Sequence, residues 1–439
     1  MSRSKQRSEN PREKTVALHT LGCRLNSSET AMIAQGFVDR GHRIVPFGER
    51  ADVVFINTCT VTDKADSTCR HLIRKAVRSS PKAKVVVAGC YAQMEAQKLA
   101  AMEGVDLVVG NSEKHKVFDY LDKEPQKIVR VRQTDTFWSA HTTAKDHHTR
   151  GFLKIQDGCD YVCSFCIIPF ARGRSRALPQ AVAIRKAQEM AREGFKEIVL
   201  TGVNIGEYES KTKERLGDLL SGLARIKGLD RIRLSSVEPN TITDELLDIM
   251  SLSPKFQDHF HIPLQSGSDS ILKAMRRKYD VKTYRQVIEK IKTKYPHAGI
   301  GADIIAGFPG ESEEDFESTF KLLEELPVTH FHVFPYSKRQ KTTAAKLPEQ
   351  IPYAVKKKRV QALLSLGEKK FLDLAKARVG KETSVLFEKR NPAGKWEGYS
   401  SNFIRVAVDS KENLANQILR VRPTTLGKGA HGEWTLECF

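Results

Sequence analysis

No stretch of this chain is apolar for the ~20 residues that a membrane-spanning helix needs, so a helical membrane protein is excluded at the outset. The first residues, MSRSKQRSENPREK, are basic but lead into no apolar run, so no secretion signal is expected and the cytoplasm is the expected compartment. Acidic residues are in short supply. Against 72 Lys and Arg stand 53 Asp and Glu, a net charge of +19 with a pI near 9.5. That imbalance points to a polyanionic partner, most simply nucleic acid, over a generally basic enzyme. Cysteines are few, eight in 439 residues. In a reducing compartment they are not expected to form disulfides, so clustered thiols lean toward metal or catalysis.

What is present describes an ordinary globular chain. Hydrophobic residues make up 40% and charged ones 28%, enough for a sizeable core, and the length calls for two or three domains. From Thr15 to about Leu121, short β-branched runs (TVALHTLG, ADVVFINTC, AKVVVAGC, VDLVVGN) alternate with helix-like stretches such as SETAMIAQGFVDRG. That alternation indicates a parallel α/β sheet with right-handed crossovers. The segment around QTDTFWSAHTTAKDHHTR is polar and reads as a linker, with His147 and His148 as solvated residues rather than ligands.

A second alternating series, from Phe152 to about Ser337, has strands FLKIQ, EIVLTG, RIRLSS, HFHIPLQS, GIGADIIAG and HFHVFPYS. Six β/α repeats are too few for a closed eight-fold barrel and suit a partial one. A basic amphipathic helix, KKKRVQALLSLGEKKFLDLAKARVG, follows; beyond about Lys376 the runs become short and β-like, as in a small β-barrel. The fold class is therefore α/β, divided as 14–125, a linker at 126–148, 149–375 and 376–439.

Cys23, Cys59 and Cys90 each end or follow a predicted strand, in LGC, INTC and AGC. The carboxyl ends of strands in an open parallel sheet face one crevice, so these thiols can converge there. Cys69, inside a helical pattern, and Cys438, near the end, read as structural. In DGCDYVCSFCIIPF the thiols of Cys159, Cys163 and Cys166 lie on one loop, between Gly158 and Pro169. Such a loop can wrap a soft metal centre. Protein-held iron–sulfur clusters usually have four ligands, and a cluster held by three keeps one iron open to a small molecule. A zinc site completed by a distant histidine is the alternative.

These residues carry a resemblance. The CxxxCxxC loop, with Phe165 before its last cysteine, is similar to that of the radical S-adenosylmethionine (SAM) superfamily. TLGCRLN, NTCTVT and AGCYAQ resemble the cysteine segments of the methylthiotransferase N-terminal domain. IQDGCDYVCSFCIIPFARGRSR, LSSVEPN, HIPLQSGSDSIL and IIAGFPGE resemble the same family's central domain, and the tail resembles its TRAM domain. TGVNIGEY and CIIPFARGRSR resemble the MtaB-type branch, which acts on threonylcarbamoyladenosine in tRNA. Ser27 and Ser28 depart from the glutamine and aromatic expected before Glu29.

The resemblance implies a radical SAM barrel between the N-terminal sheet and a TRAM-like barrel, and two 4Fe–4S clusters. Cys159, Cys163 and Cys166 would hold the one that binds SAM; Cys23, Cys59 and Cys90 would hold the one that supplies sulfur. One-electron reduction would split SAM into methionine and a 5′-deoxyadenosyl radical, which removes the hydrogen on carbon 2 of adenine. A separate SAM would give the methyl. Phe165, Gly202, Asn204, Ser235 and Gln265 are the implied SAM-pocket residues; routine packing is the alternative for each. His259, His261, His330 and His332 alternate along strands and read mainly as packed interior residues. The implied partners are a tRNA anticodon loop, a one-electron donor such as a flavodoxin or ferredoxin, and a sulfur source for the N-terminal cluster. Trp396, Tyr399 and Phe403, interleaved with Lys389, Arg390, Lys395 and Arg405, fit either an RNA-facing surface or a domain core. Runner-up substrates are isopentenyladenosine in tRNA and a ribosomal-protein aspartate; the reading from another class is a non-catalytic zinc-dependent RNA-binding protein.

Overall fold

The computed structural model describes residues 13–121, 127–129, 137–142, 149–429 and 432–438. Most of the basic N-terminal segment and of the 126–148 linker, with His147 and His148, lies outside them. The chain forms two compact units, one of residues up to 132 except 61–63, the other of 61–63 and 133–439. The C-terminal β-rich segment thus belongs to the same unit as the second α/β series.

In the first unit, β1 (Thr15–Thr20), β2 (Arg43–Val45), β3 (Val53–Thr58), β4 (Lys84–Gly89), β5 (Leu107–Val109) and β6 (Ile128–Val129) form one sheet in the order β2-β1-β3-β4-β5-β6. Every pairing is parallel. β3 is buried along its whole length, as the unbroken run VVFINT requires of a parallel strand covered on both faces. Helices α1 (Arg24–Val38), α2 (Asp63–Ser79), α3 (Cys90–Met94), α4 (Ala96–Ala100) and α5 (Val117–Leu121) connect the strands. The strand order reverses at β1, which has β2 on one side and β3 on the other, and ligands of doubly wound sheets settle outside the carboxyl ends at such a reversal.

In the second unit, β7 (Arg150–Lys154), β10 (Glu197–Thr201) and β11 (Arg231–Leu234) form one parallel sheet, and β12 (His259–His261), β13 (Gly299–Ala306) and β14 (His330–Pro335) another. A parallel bridge between Ser236 and His261 links β11 to β12. Helices α7 (Gln180–Arg192), α8 (Leu216–Ala224), α9 (Asp244–Ser251), α10 (Asp269–Ala274), α11 (Val281–Lys294) and α12 (Glu313–Glu325) separate these strands in sequence. The two-residue strands β8 (Gln156–Asp157) and β9 (Arg176–Ala177) pair antiparallel and close the neck of the cysteine loop, which holds the short α6 (Ile168–Arg172). After β14 comes the 24-residue α13 (Tyr353–Lys376). The C-terminal strands β15 (Thr383–Arg390), β16 (Trp396–Ser400), β17 (Arg405–Val408), β18 (Ile418–Val421), β19 (Thr425–Lys428) and β20 (Trp434–Cys438) are ordered β18-β15-β16-β17-β20-β19.

The C-terminal strands dock on the amino ends of the parallel strands. Arg233, wholly buried, donates Nε to Glu197 Oε1 at 2.9 Å and Nη1 to the Ser401 carbonyl at 3.0 Å. Arg231 donates to the Tyr399 carbonyl and to Ser384 Oγ. Phe403, held at φ 66°, sets its ring 4.7 Å from His259, and Tyr399 stacks on it at 4.6 Å. Trp396 is buried and donates Nε1 to the Glu412 carbonyl. Tyr399 and Phe403 therefore join the tail to the strands it covers, while Trp396 packs in the tail's own core.

The four strand histidines pack in two layers, His259 against His330 and His261 against His332, with His261 Nε2 3.2 Å from Asp303 Oδ1. Burial lowers the pKa of His330 to about 4. An unfolded histidine takes up its proton near 6.5, so the folded state loses stability as pH falls from about 6.5 toward 4. His330→Gln should remove about 2 kcal/mol of the loss between pH 7 and pH 5, measured by urea unfolding at both pH values.

Candidate functional site

Loop 158–173 starts where β7 and β8 end. Asp157, buried at the loop's base, takes Lys154 Nζ at 2.7 Å, Arg172 Nη1 at 2.9 Å and Arg176 Nη2 at 3.3 Å, and also accepts the Gly158 amide. Those cations hold its carboxyl far below the usual carboxylate range. Gln156, also buried, donates Nε2 to the Gly158 carbonyl and Ser175 Oγ, while its Oε1 accepts the amides of Val203 and Asn204 at 2.8 and 2.9 Å. One side chain thus ties the cysteine loop to the carboxyl end of β10.

Each thiol on the loop receives an N–H. Cys159 Sγ accepts from the Tyr161 amide at 3.4 Å, Cys166 Sγ from the Ile168 amide at 3.5 Å, and Cys163 Sγ from Arg277 Nη1 at 3.1 Å. Burial pushes Cys159 and Cys166 up to about 12 and raises Cys163, whose thiolate Arg277 favours. The thiols lie close enough that Cys159 and Cys163 each disfavour a charge on Cys166. Among the described residues no three His, Cys, Asp or Glu side chains are already gathered at metal-ligand spacing.

The other sequence candidates lie around the carboxyl ends of the strands. Asn204, 3% exposed, has neither its Oδ1 nor its Nδ2 hydrogen-bonded in the protein, and Thr201 Oγ1 and Ser235 Oγ are likewise unpartnered. Buried polar atoms of this kind call for a ligand or water. Gln265 sits just past β12 at φ 65°, and Gly202 lies against Gln156 and Ile205, where a Cβ would meet Ile205 Cγ2 at 2.6 Å. Phe165 instead packs in an apolar group with Ile271, Met275, Phe308 and Tyr336.

In the first unit, Cys23 caps α1, Cys59 directly follows β3 and Cys90 opens α3. All three stand at carboxyl ends of adjacent strands, two of them flanking the reversal at β1. The glycines of LGC and AGC bring these loops together. Gly22 is at φ 95°, and a Cβ there would lie 2.8 Å from Cys59 Sγ; at Gly89, φ 101°, it would lie 2.5 Å from the Thr58 carbonyl. Asn26 Nδ2 bonds the carbonyls of Leu21 and Thr58, and Asn111 Nδ2 donates to Cys90 Sγ at 3.5 Å. Beneath lies a buried ion pair between Lys114 and Glu29, with Lys114 also donating to Asn111 Oδ1. Cys69 is wholly buried, donates to the Cys59 carbonyl and has a pKa pushed up to about 12. It and the buried Cys438 behave as inert core thiols.

Gln156, Glu238, Arg277, Lys114 and Glu29 were not singled out in the sequence. They are ordinary polar residues scattered over separate strands, helices and loops, and only the fold brings them to the thiols.

Parallel strands with a three-thiol loop and orphaned polar groups at their carboxyl ends define a radical SAM enzyme, carrying here a second cysteine-bearing sheet. Residues 153–323 match the Radical SAM superfamily, and residues 15–110 match the Uncharacterized protein family UPF0004. The fold resembles that of TsrM, a radical SAM methyltransferase from Kitasatospora setae solved with cobalamin and a 4Fe–4S cluster, at TM-score 0.55 and 14% identity over 76% of this chain and 77% of that one. The chain is 37% identical to the threonylcarbamoyladenosine tRNA methylthiotransferase MtaB of Bacillus subtilis, over 93% of both. To the MtaB of Aquifex aeolicus it is 40% identical over 86% of this chain and 93% of the relative. It is also 36% identical to a tRNA-2-methylthio-N(6)-dimethylallyladenosine synthase of Cereibacter sphaeroides, over 93% of this chain and 95% of the relative. The chain belongs to the radical SAM tRNA methylthiotransferase family, and it is an enzyme. No helix among the described residues is long and apolar enough to cross a membrane.

Proposed function

We propose that the protein adds a methylthio group to carbon 2 of N6-threonylcarbamoyladenosine at position 37 of tRNA, in the cytoplasm, using SAM and two 4Fe–4S clusters. In this reading the second unit holds a partial (β/α)6 radical SAM barrel and a TRAM-like domain. Cys159, Cys163 and Cys166 would hold one cluster, and Cys23, Cys59 and Cys90 the other. The donor chemistry fits: the loop offers three soft sulfurs, each already backed by an N–H of the kind that outer-shell partners give to bound thiolates. Cys159, Cys163 and Cys166 would hold a cluster as thiolates, so its binding would release their protons. Held by these three thiols, such a cluster would supply the electron for SAM cleavage.

The chain's own residues do the rest. Gln156 fixes the loop against the end of β10. Asn204, Thr201 and Ser235 turn unpaired donors and acceptors toward the strand ends, where the amino-acid and ribose groups of SAM would complete them. These orphaned atoms beside a three-thiol loop are the observation that carries the reading. Gly202 leaves room beside Gln156, Gln265 lines the neighbouring strand end, and Phe165 closes the apolar side. In the other unit, Gly22 and Gly89 let the three thiol loops approach, and Asn26 and Asn111 hold them.

The basic balance suits tRNA, and an unpaired anticodon-loop base is splayed into a pocket at modest cost. A flavodoxin or ferredoxin would deliver the electron, and a separate sulfur source would renew the N-terminal cluster. The MtaB relatives favour the threonylcarbamoyl nucleoside; the Cereibacter sphaeroides relative keeps isopentenyladenosine as the second reading. Family membership leaves the non-catalytic zinc reading without support. Mass spectrometry of nucleosides from tRNA of a deletion strain tests the choice. The methylthio form of threonylcarbamoyladenosine should disappear and return with the intact gene, and its persistence would refute the assignment.

A further inference from the structure

Cys163 differs from its two neighbours. Cys159 and Cys166 receive backbone amides, whereas Cys163 receives a charged side chain, Arg277 Nη1, at 3.1 Å. The Arg277 side chain is 3% exposed, so water hardly screens its charge. Its other nitrogens are fixed as well: Nε donates to Tyr279 Oη at 3.1 Å, and Nη2 pairs with the Glu238 carboxylate. Tyr279 Oη in turn donates to the carbonyls of Pro263 and Leu264. Arg277 also belongs to a segment bound to the cysteine loop twice more. Ser164 donates Oγ to the Ala274 carbonyl at 2.8 Å and its amide to the Met275 carbonyl at 3.0 Å. The guanidinium is thus held against one sulfur by bonds on every side, and its counter-ion is the next charge out. Glu207, which also disfavours a charge on Cys159, stands 3.9 Å from Lys278 and has its own cation.

We infer that Arg277 and Glu238 set the electron affinity of the iron–sulfur centre at Cys159, Cys163 and Cys166, the arginine raising it and the glutamate lowering it. The inference rests on that cluster assignment. Reduction adds one electron from a low-potential one-electron donor and no proton, so the centre gains one negative charge. A desolvated cation donating to a ligating sulfur stabilises the added charge, and a carboxylate behind it opposes it; hydrogen bonds to sulfur and local charge are what set cluster potentials. Both are positioning residues, acting on the reaction through Cys163. A purely structural ion pair would behave otherwise. Breaking it from either side would loosen the loop in the same way.

The test is a potentiometric titration followed by electron paramagnetic resonance, in full-length protein with Cys23, Cys59 and Cys90 replaced by alanine, so that one cluster gives the signal. Arg277→Gln should leave about tenfold less of the centre reduced at a fixed potential, about 59 mV downward for a one-electron couple. Glu238→Gln should shift it the other way, and the double variant should return near the parent. Arg277→Lys keeps the charge but not the planar fork, and should give a smaller downward shift; it serves if Arg277→Gln holds no cluster. Shifts in the same direction, or none, would overturn the inference while leaving the cluster in place. A parent protein without any iron–sulfur signal would overturn the cluster assignment, and this inference with it.

Discussion

Cys163→Ala should abolish SAM cleavage, while Cys59→Ala should leave cleavage running and stop methylthio transfer to tRNA. The two substitutions remove the same chemical group, a buried thiol, from two differently placed sets. Cys163 sits in the loop that Gln156 ties to Asn204 and the orphaned polar atoms of the strand ends. Cys59 sits in the other unit, at the reversal of the first sheet. Removing one of three proposed ligands should cost more than the roughly 10–100-fold that follows from altering an outer-shell partner. Chromatography of 5′-deoxyadenosine reads the first activity and nucleoside mass spectrometry the second. If both variants lost cleavage equally, the division of labour between the thiol sets would be wrong.

Arg233→Ala should destabilise the second unit by about 3–5 kcal/mol, the cost of breaking a buried charge pair from one side. Arg233 and Glu197 are both wholly buried, and three arginines, Arg233 foremost, keep the Glu197 carboxyl below its usual range. Arg233 also donates to the Ser401 carbonyl and lies 4.9 Å from the Phe403 ring. The substitution therefore strips a carboxylate of its main partner and loosens the tail from the strands at once. Urea unfolding of Arg233→Ala, with the double variant Arg233→Ala/Glu197→Gln as reference, measures it. The double variant should be less damaged than the single one, because no buried charge is stranded. A single-variant loss under about 1 kcal/mol would show that water reaches this cluster.

Much of the fold could be read from the sequence because parallel strands advertise themselves. VVFINT and KVVVAG carry apolar runs, VVFI and VVVAG, and each is followed by its cysteine where the sheet puts it. The glycines of LGC and AGC belonged to those motifs, though their reason, close approach of neighbouring loops, needed coordinates. The loop of Cys159, Cys163 and Cys166 was local in sequence and so equally visible. What could not be read was contact between distant segments. Arg277 and Glu238 lie 39 residues apart in loops that periodicity treats as punctuation. Lys114 and Glu29, 85 residues apart in sequence, are buried together. The tail's aromatics were ambiguous for another reason: a stacking surface and a domain plug have the same composition. Only the left-handed turn at Phe403 and the arginines beneath it separate the two.

The central claim is that two three-cysteine sets each hold an iron–sulfur cluster, and metal analysis of anaerobically prepared protein tests it most directly. The wild-type chain should be brown, with about eight iron and eight acid-labile sulfide, falling to about four of each when either cysteine set is replaced by alanine. A colourless protein carrying zinc, or an iron content that one set alone accounts for, would contradict it.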